Sequence, residues 1–206
     1  DMAVWFKRRA APTTVIGSLM LAGLLMAPAC ELPPPDPNCA VAAVGDSLMV
    51  GTAPHLGAEL AKRGCTLEWW DGLKSRRTFE GVDVLTANRD RLPGVIVVSL
   101  GTNDRYDLAN FAAHVERVMA LANGRMVVWT ETAYGPVRDH VNGVLRQASD
   151  RHPNLVVMPW DRSYWENPLW RGGDDIHCSK EGYRIRGVLT AAWVRAAVDG
   201  TARIPK

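Results

Sequence analysis

The stretch Ala40-Val41-Ala42-Ala43-Val44-Gly45-Asp46-Ser47-Leu48 joins a short apolar run to a segment with helical spacing. Small and β-branched apolar residues that end at a glycine are typical of a strand buried on both faces. From Ser47 to Arg63 the apolar residues recur at helical intervals, and Gly64 is suited to end a helix. The stretch therefore predicts a strand, a tight turn and a helix, which form the first unit of a layered α/β domain.

The same alternation of strands and helices continues along the chain. Further strands are predicted over residues 66–70, 94–100, 126–130 and 155–158, and further helices over 78–91, 107–122, 137–151 and 179–198. Residues 159–178 are predicted to be one long loop. Continuous apolar strands separated by helices predict a five-stranded parallel sheet in a three-layer α/β/α arrangement. Right-handed crossovers favour a doubly wound, flavodoxin-like strand order, 2-1-3-4-5, with the active site at the carboxyl ends of the strands.

Two polar segments directly follow predicted strands. Ser47 lies at a tight turn above a helix N-terminus, where backbone N–H groups are placed to stabilise an oxyanion. In a purely structural interpretation, Ser47 is a helix cap and Asp46 forms the turn. In Gly101-Thr102-Asn103-Asp104 the Asn103 amide could donate to a developing negative oxygen, although a polar turn has the same composition.

A third polar segment, Asp174-Asp175-Ile176-His177, precedes the last predicted helix. Because Asp174 lies three residues before His177, its carboxylate could orient the imidazole and fix its tautomer. The alternative is that the aspartates form a turn and His177 is an ordinary loop residue.

Taken together and in this order, the three segments resemble the sequence blocks of the SGNH hydrolases, also called GDSL esterases and lipases. The resemblance extends from Cys39 to about Val198. It implies the flavodoxin-like SGNH fold and ester hydrolysis through an acyl-enzyme, with Ser47 as nucleophile, His177 as acid–base catalyst and Asp174 as its partner. It implies no metal and no organic cofactor.

The resemblance also implies an oxyanion hole formed by the N–H groups of Ser47 and a second-block residue, with the Asn103 side chain. The family normally has a glycine in that second block. Here Gly72 lies early in the segment, so Ser75 is the expected equivalent. A serine can serve there unless its backbone needs a positive φ.

Several residues near these segments are candidates for substrate contact. Arg76 could face the site and attract an anionic group, whereas Arg77 is expected to be solvated at the start of a helix. Three tryptophans in the predicted loop could form a wall of the site or could cover the last strand. The candidates are Asp46, Arg76, Trp160, Trp165 and Trp170.

The N-terminus predicts export. Basic residues precede an apolar run over residues 15–26, and Ala27-Pro28-Ala29 is a candidate cleavage site. Residues 1–29 are therefore predicted to be a signal peptide or signal anchor, residues 30–38 a proline-rich linker and residues 39–206 the hydrolase domain. Secreted, periplasmic and envelope-associated locations remain open, as does a lipid anchor at Cys30.

Export makes disulfide formation plausible for some of the four cysteines. Cys39 and Cys65 each precede predicted strands that should be neighbours, which favours a bond between them over two free thiols. Cys178 would then pair with Cys30 or remain unpaired. The spacing of the cysteines does not match a zinc site.

The expected function is an exported serine esterase that removes a short acyl or acetyl group from an envelope glycan, a lipid or a small ester. The same triad could serve an acyltransferase, and a non-catalytic glycan-binding domain is a third possibility. The net charge is only +2, and the sequence has no basic stripe of the kind that a nucleic-acid binder needs, so no nucleic-acid partner is expected. Membrane attachment is expected only through the N-terminus.

Overall fold

The structure is a computed structural model that describes residues 32–202. The predicted signal segment, Cys30 and its possible lipid anchor lie outside these residues. Within the described range the strands are Ala40–Gly45 (β1), Thr66–Gly72 (β2), Val95–Ser99 (β3), Met126–Thr130 (β4) and Leu155–Met158 (β5). The α-helices there are Ser47–Ala61 (α1), Thr78–Ala87 (α2), Leu108–Ala122 (α3), Gly135–Arg151 (α4), Trp160–Glu166 (α5) and Lys180–Val198 (α6).

The five strands form one parallel sheet in the order β2-β1-β3-β4-β5, which confirms the predicted fold class and topology. The register places Gly45 at the end of β1 beside Gly72 at the end of β2 and Ser99 at the end of β3. The segments after these three strands therefore emerge together at one edge of the sheet. This edge is the carboxyl end, where ligands bind in open α/β sheets.

Helices cover both faces of the sheet. On one face, α1 and α6 pack against alternate strand residues such as Val41 and Val97. On the other face, α2, α3 and α4 pack against the intervening residues, such as Ile96 and Val98. Since successive side chains of a strand point to opposite faces, an uninterrupted apolar strand can supply both layers of the core.

Two predicted elements differ from the structure. The helix predicted over residues 78–91 ends at Ala87, and a short 3-10 turn follows over Arg89–Arg91. The loop predicted over residues 159–178 contains α5 and a 3-10 turn over Pro168–Trp170. Trp160 and Tyr164, four residues apart, both bury their rings, but a helix of seven residues is too short for its periodicity to be clear in the sequence.

The predicted disulfide between Cys39 and Cys65 is confirmed, with Cα atoms 4.7 Å apart. It joins the residues that immediately precede the neighbouring strands β1 and β2. Cys178 is buried and forms no disulfide with any residue in the described range. The described end of the predicted linker contacts the domain, because Asp36 accepts a hydrogen bond from Arg195 at 2.9 Å. Among residues 32–202, none of the helices has the length and apolar character needed to cross a bilayer.

Candidate active site

The turn between β1 and α1 holds Ser47 in a fixed position at the start of the helix. The buried Asp46 carboxylate accepts a hydrogen bond from the Leu48 N–H at 2.9 Å, while the Asp46 N–H donates to the Ser99 carbonyl at 3.0 Å. At Gly45 an added Cβ would lie 2.4 Å from the Met49 Cβ and 2.8 Å from the Ser99 oxygen. The turn thus requires a glycine, and it ties Ser47 to both β1 and β3.

A short loop holds His177 opposite Ser47. Arg171 and Cys178 form an isolated antiparallel bridge, and the Gly172 N–H donates to the His177 carbonyl at 2.6 Å. The Tyr164 hydroxyl donates to the same carbonyl at 3.2 Å. Because Tyr164 lies on α5, the helix that the sequence did not reveal helps to support this loop.

The structure brings the serine, histidine and aspartate into hydrogen-bonding order. The His177 Nε2 lies 2.9 Å from the Ser47 Oγ, and the His177 Nδ1 lies 2.6 Å from the Asp174 Oδ2. The other Asp174 oxygen accepts the backbone N–H of His177 at 2.8 Å and of Ile176 at 3.1 Å. The bonds from the His177 side chain and backbone lower the pKa of Asp174 to about 2, so its carboxylate stays ionised.

Backbone donors for an oxyanion are available beside Ser47. Within residues 32–202, neither the Ser47 N–H nor the Ser75 N–H has a hydrogen-bond acceptor. Both residues line the same cavity. Asn103 also lines it, and its amide nitrogen donates to the Arg76 carbonyl at 3.1 Å and to Asp46 at 3.3 Å. These bonds fix the Asn103 side chain at the cavity wall.

Ser75 adopts a left-handed backbone conformation with φ of 62°. A non-glycine residue in this region costs on the order of 1–3 kcal/mol, so the surrounding structure must impose it. This conformation explains why a glycine suits the position, and it shows that the serine is tolerated here at a cost in stability.

The cavity has a volume of about 500 Å³ and opens beside Ser47. The residues that line it are Ser47, Val50, Gly51, Lys74, Ser75, Asn103, Ile176, His177 and Tyr183. The sequence did not single out Val50, Gly51, Lys74, Ile176 or Tyr183 as lining residues. Gly51 allows α6 to approach α1, since a Cβ there would lie 2.2 Å from the Tyr183 ring. Proximity to the three motifs was the available signal for most of them, but it does not reveal which side chains face the cavity.

The three tryptophans predicted as substrate contacts do not line this cavity. Trp160 is fully buried, and Trp170 stacks on it at 6.4 Å between ring centroids. The Trp165 indole N–H donates to the Ala133 carbonyl at 3.2 Å. The physical reason is that α5 and the following turn fold these rings onto the core rather than over the site.

Asp46 and Arg76, the other two candidates for substrate contact, do not line this cavity either. Asp46 is fully buried, burial raises its pKa to about 6, and its carboxylate caps α1. Arg76 is 5% exposed, and its guanidinium bonds to the Gly45 carbonyl and to Asp71. Asp46 therefore stabilises the start of α1 and Arg76 the ends of β1 and β2, and neither residue lines the cavity.

Comparisons with known proteins agree with this architecture. No family model matches the chain, and no curated protein matches it significantly. The C-terminal catalytic domain of Streptococcus pneumoniae peptidoglycan O-acetyltransferase A is similar in structure, with TM-score 0.62, 18% identity, and coverage of 79% of this chain and 93% of that one. A Clostridium thermocellum family 3 carbohydrate esterase has TM-score 0.63 and 12% identity, and the match covers 80% of this chain and 99% of that one.

AlinE4, an esterase of the SGNH-hydrolase family, has TM-score 0.57 and 16% identity, and the match covers 85% of this chain and all of that one. At these identities the likeness concerns the fold. The strand order, the layers and these neighbours agree, and the chain has the fold of the SGNH hydrolases.

Proposed function

We propose that this protein is an exported serine esterase that hydrolyses a carboxylic ester through an acyl-enzyme on Ser47. The observation that carries the proposal is the continuous hydrogen-bonded series from the Ser47 hydroxyl through the His177 imidazole to the Asp174 carboxylate. This order of groups is what activates a serine for attack on a carbonyl carbon. Its three members come from two segments 130 residues apart, so local sequence alone does not bring them together.

In the first half of the reaction His177 Nε2 takes the proton of the Ser47 hydroxyl as the oxygen attacks the ester carbonyl. The ionised Asp174 holds the proton on Nδ1 and stabilises the imidazolium that forms. The Ser47 and Ser75 N–H groups stabilise the negative oxygen of the tetrahedral intermediate. The Asn103 amide joins them by exchanging its 3.3 Å bond to Asp46 for a bond to that oxygen. His177 then protonates the departing alcohol.

In the second half a water molecule replaces the alcohol. His177 takes a proton from the water as the water oxygen attacks the acyl-enzyme carbonyl. His177 then returns this proton to the Ser47 oxygen as the bond to the acyl group breaks, which releases the acid and restores Ser47. The His177 side chain is 42% exposed and the Asp174 side chain 51% exposed. Water therefore has access to the site, which favours hydrolysis over transfer to another acceptor.

The proposed substrate is a short acyl or acetyl ester on an envelope glycan, a lipid or a small molecule. The names of two structural neighbours support this substrate class, since one is a peptidoglycan O-acetyltransferase domain and the other a carbohydrate esterase. The Cys39–Cys65 disulfide supports an oxidising compartment and therefore the predicted export. The proposal needs no metal, cofactor or nucleic acid, and any membrane attachment would come through the N-terminus.

Transfer of the acyl group from Ser47 to a sugar hydroxyl is the second candidate. The neighbour from Streptococcus pneumoniae favours it, since that domain belongs to an acetyltransferase. Product analysis separates the two reactions, because hydrolysis releases free acid at the same rate whether or not a glycan acceptor is present. Acylated glycan formed at the expense of free acid would establish transfer.

The test is a series of p-nitrophenyl esters of increasing acyl length, together with acetylated glycans, assayed on wild type and Ser47→Ala. We expect Ser47→Ala to lower kcat at least about 10³-fold, because among residues 32–202 no other hydroxyl bonds to the His177 imidazole. Ser149→Ala is the matched control, since the Ser149 hydroxyl bonds only to the Arg146 carbonyl within α4. Hydrolysis at the full rate by Ser47→Ala would eliminate the esterase proposal and leave a glycan-binding domain as the better account.

A further inference from the structure

Arg76 has an unusual environment for a charged side chain next to a catalytic cavity. Its side chain is 6% exposed, and its guanidinium makes three hydrogen bonds. Nη1 donates to the Gly45 carbonyl at 3.1 Å and to the Asp71 carbonyl at 2.9 Å, while Nη2 donates to the Asp71 carboxylate at 2.7 Å. The planar guanidinium thereby joins the ends of two neighbouring strands, β1 and β2.

These contacts lie close in the chain to the two proposed backbone donors of the oxyanion hole, the N–H groups of Ser47 and Ser75. The Gly45 carbonyl lies two residues before Ser47 and also accepts the Leu73 N–H at 3.1 Å. The Arg76 N–H donates to the Leu73 carbonyl at 3.2 Å, which closes a tight turn around Ser75. All of these bonds converge on one short segment, residues 72–76, whose Ser75 holds a left-handed conformation.

Arg76 also supports the third donor. Its carbonyl accepts the Asn103 amide at 3.1 Å, so the position of the residue-76 backbone helps to set the position of that side chain. A displacement of this backbone would consequently move the Ser75 N–H and the Asn103 amide together.

We propose that Arg76 is a positioning residue whose guanidinium clamps the end of β1 to the end of β2 and thereby holds the oxyanion donors of Ser75 and Asn103 in place. The inference rests on the proposed esterase function for its catalytic consequence. It assigns Arg76 an effect on transition-state stabilisation rather than on substrate binding, because its charge is turned toward Asp71 and away from the cavity.

The test compares Arg76→Met, which keeps the apolar stem and removes all the donors, with Arg76→Lys, which keeps one charged donor group. Misplacing a catalytic donor by a fraction of an ångström to 1 Å costs up to about 100-fold in rate, so we expect Arg76→Met to lower kcat about 10- to 100-fold. Arg76→Lys should lie between that variant and wild type, and KM for a neutral p-nitrophenyl ester should change less than about threefold. Arg77→Met is the matched control, since the neighbouring Arg77 side chain is 44% exposed, contacts Glu80 and the Phe79 ring, and does not line the cavity.

Amide hydrogen exchange gives a second readout that does not depend on activity. Without the clamp, the Leu73 and Arg76 amides should exchange faster in Arg76→Met, while amides of the distant strand β4 should remain protected.

Three outcomes would overturn the inference. A lower melting temperature with unchanged kcat would show that Arg76 only stabilises the fold. A raised KM confined to anionic esters would show that it contacts substrate, and unchanged exchange at Leu73 and Arg76 would show that no clamp exists. Absence of Ser47-dependent hydrolysis in wild type would instead defeat the proposed function, and the exchange measurement would then decide the clamp by itself.

Discussion

Asp46 and Asp174, which lie in the two segments that hold Ser47 and His177, accept the same kind of local hydrogen bond in opposite environments. Asp46 accepts the N–H of the residue two positions ahead at 2.9 Å, and Asp174 does so at 3.1 Å. Asp46 is fully buried in the nucleophile turn, residues 45–48, and burial raises its pKa to about 6. Asp174 lies in the acid–base loop, residues 171–178, where its bonds to His177 lower its pKa to about 2.

The comparison shows that the two halves of the site are held in different ways. The nucleophile turn is part of the core, because it is bonded to β3 and crowded by Met49. The acid–base loop is half exposed and is held mainly by its own hydrogen bonds. Apart from Ser47 itself, substitutions in the turn should therefore change the stability of the protein, whereas substitutions in the loop should change its chemistry.

The largest effect is expected for Asp174→Asn in the loop. An asparagine oxygen can still accept the two backbone N–H groups, but its NH₂ would face His177 Nδ1 and favour the wrong tautomer. We expect kcat to fall about 10³- to 10⁴-fold with little change in the free energy of unfolding. Steady-state kinetics and urea denaturation measure the two quantities.

Asp175→Asn is the control for that substitution. Asp175 is exposed, and asparagine readily adopts its left-handed φ of 55°. Its activity should match wild type. Equal losses in the two variants would mean that Asp174 has no special role in orienting His177.

Asp46→Asn should change the way in which the free energy of unfolding depends on pH. Since the folded-state pKa of about 6 lies above the ordinary value of 3.8, the folded protein holds this proton more tightly than the unfolded chain. The stability contributed by Asp46 is therefore greatest below pH 4 and is lost as the pH rises to about 6, a difference on the order of 3 kcal/mol. Asparagine keeps the helix cap and cannot ionise, so the variant should lack this loss.

The measurement is urea denaturation of wild type and Asp46→Asn from pH 4 to pH 7. Other carboxyl groups titrate equally in both proteins, so the difference between the two curves isolates residue 46. The difference should grow in favour of Asp46→Asn as the pH rises to 6 and then level off. A difference that stays constant over this range would contradict a raised pKa at Asp46.

The fold was accessible to sequence reasoning because most of its strands are short apolar runs with glycine or proline nearby in the chain. The run Val95–Ser99 is buried along its whole length, so no alternation was needed to recognise it. The helix α5 was missed for the opposite reason, since its seven residues bury only Trp160 and Tyr164. This helix is stabilised by tertiary packing, which the spacing of apolar residues in the sequence does not reveal.

At the site, the sequence indicated which residues come together, but it did not indicate the directions in which the side chains of their neighbours point. Ser47, Asp174 and His177 follow from motif order and from the common edge of a parallel sheet. The inward direction of Asp46 and Arg76 depends on bonds to Leu48, Gly45 and Asp71, formed only when the strands align. The left-handed φ of Ser75 likewise results from a turn that its own sequence does not require.

The smallest effect is expected from substitution of two adjacent glycines in the acid–base loop, Gly172 and Gly173. A Cβ at Gly172 would lie 2.5 Å from the His177 carbonyl oxygen, whereas a Cβ at Gly173 would have no atom within 4 Å. Neither glycine has a positive φ, so an added methyl group causes no backbone strain by itself. Gly172→Ala should push the His177 backbone away and lengthen the contact with Ser47, which lowers kcat about tenfold.

Gly173→Ala carries the same methyl group one residue further along and should retain wild-type activity. Because neither Gly172 nor Gly173 is buried, both variants should unfold within about 1 kcal/mol of wild type. A large loss of stability in Gly172→Ala would mean that the loop is integral to the fold in the way the nucleophile turn is. Equal kcat in the two variants would mean that the His177 backbone shifts without cost, so that the imidazole is positioned by Asp174 alone.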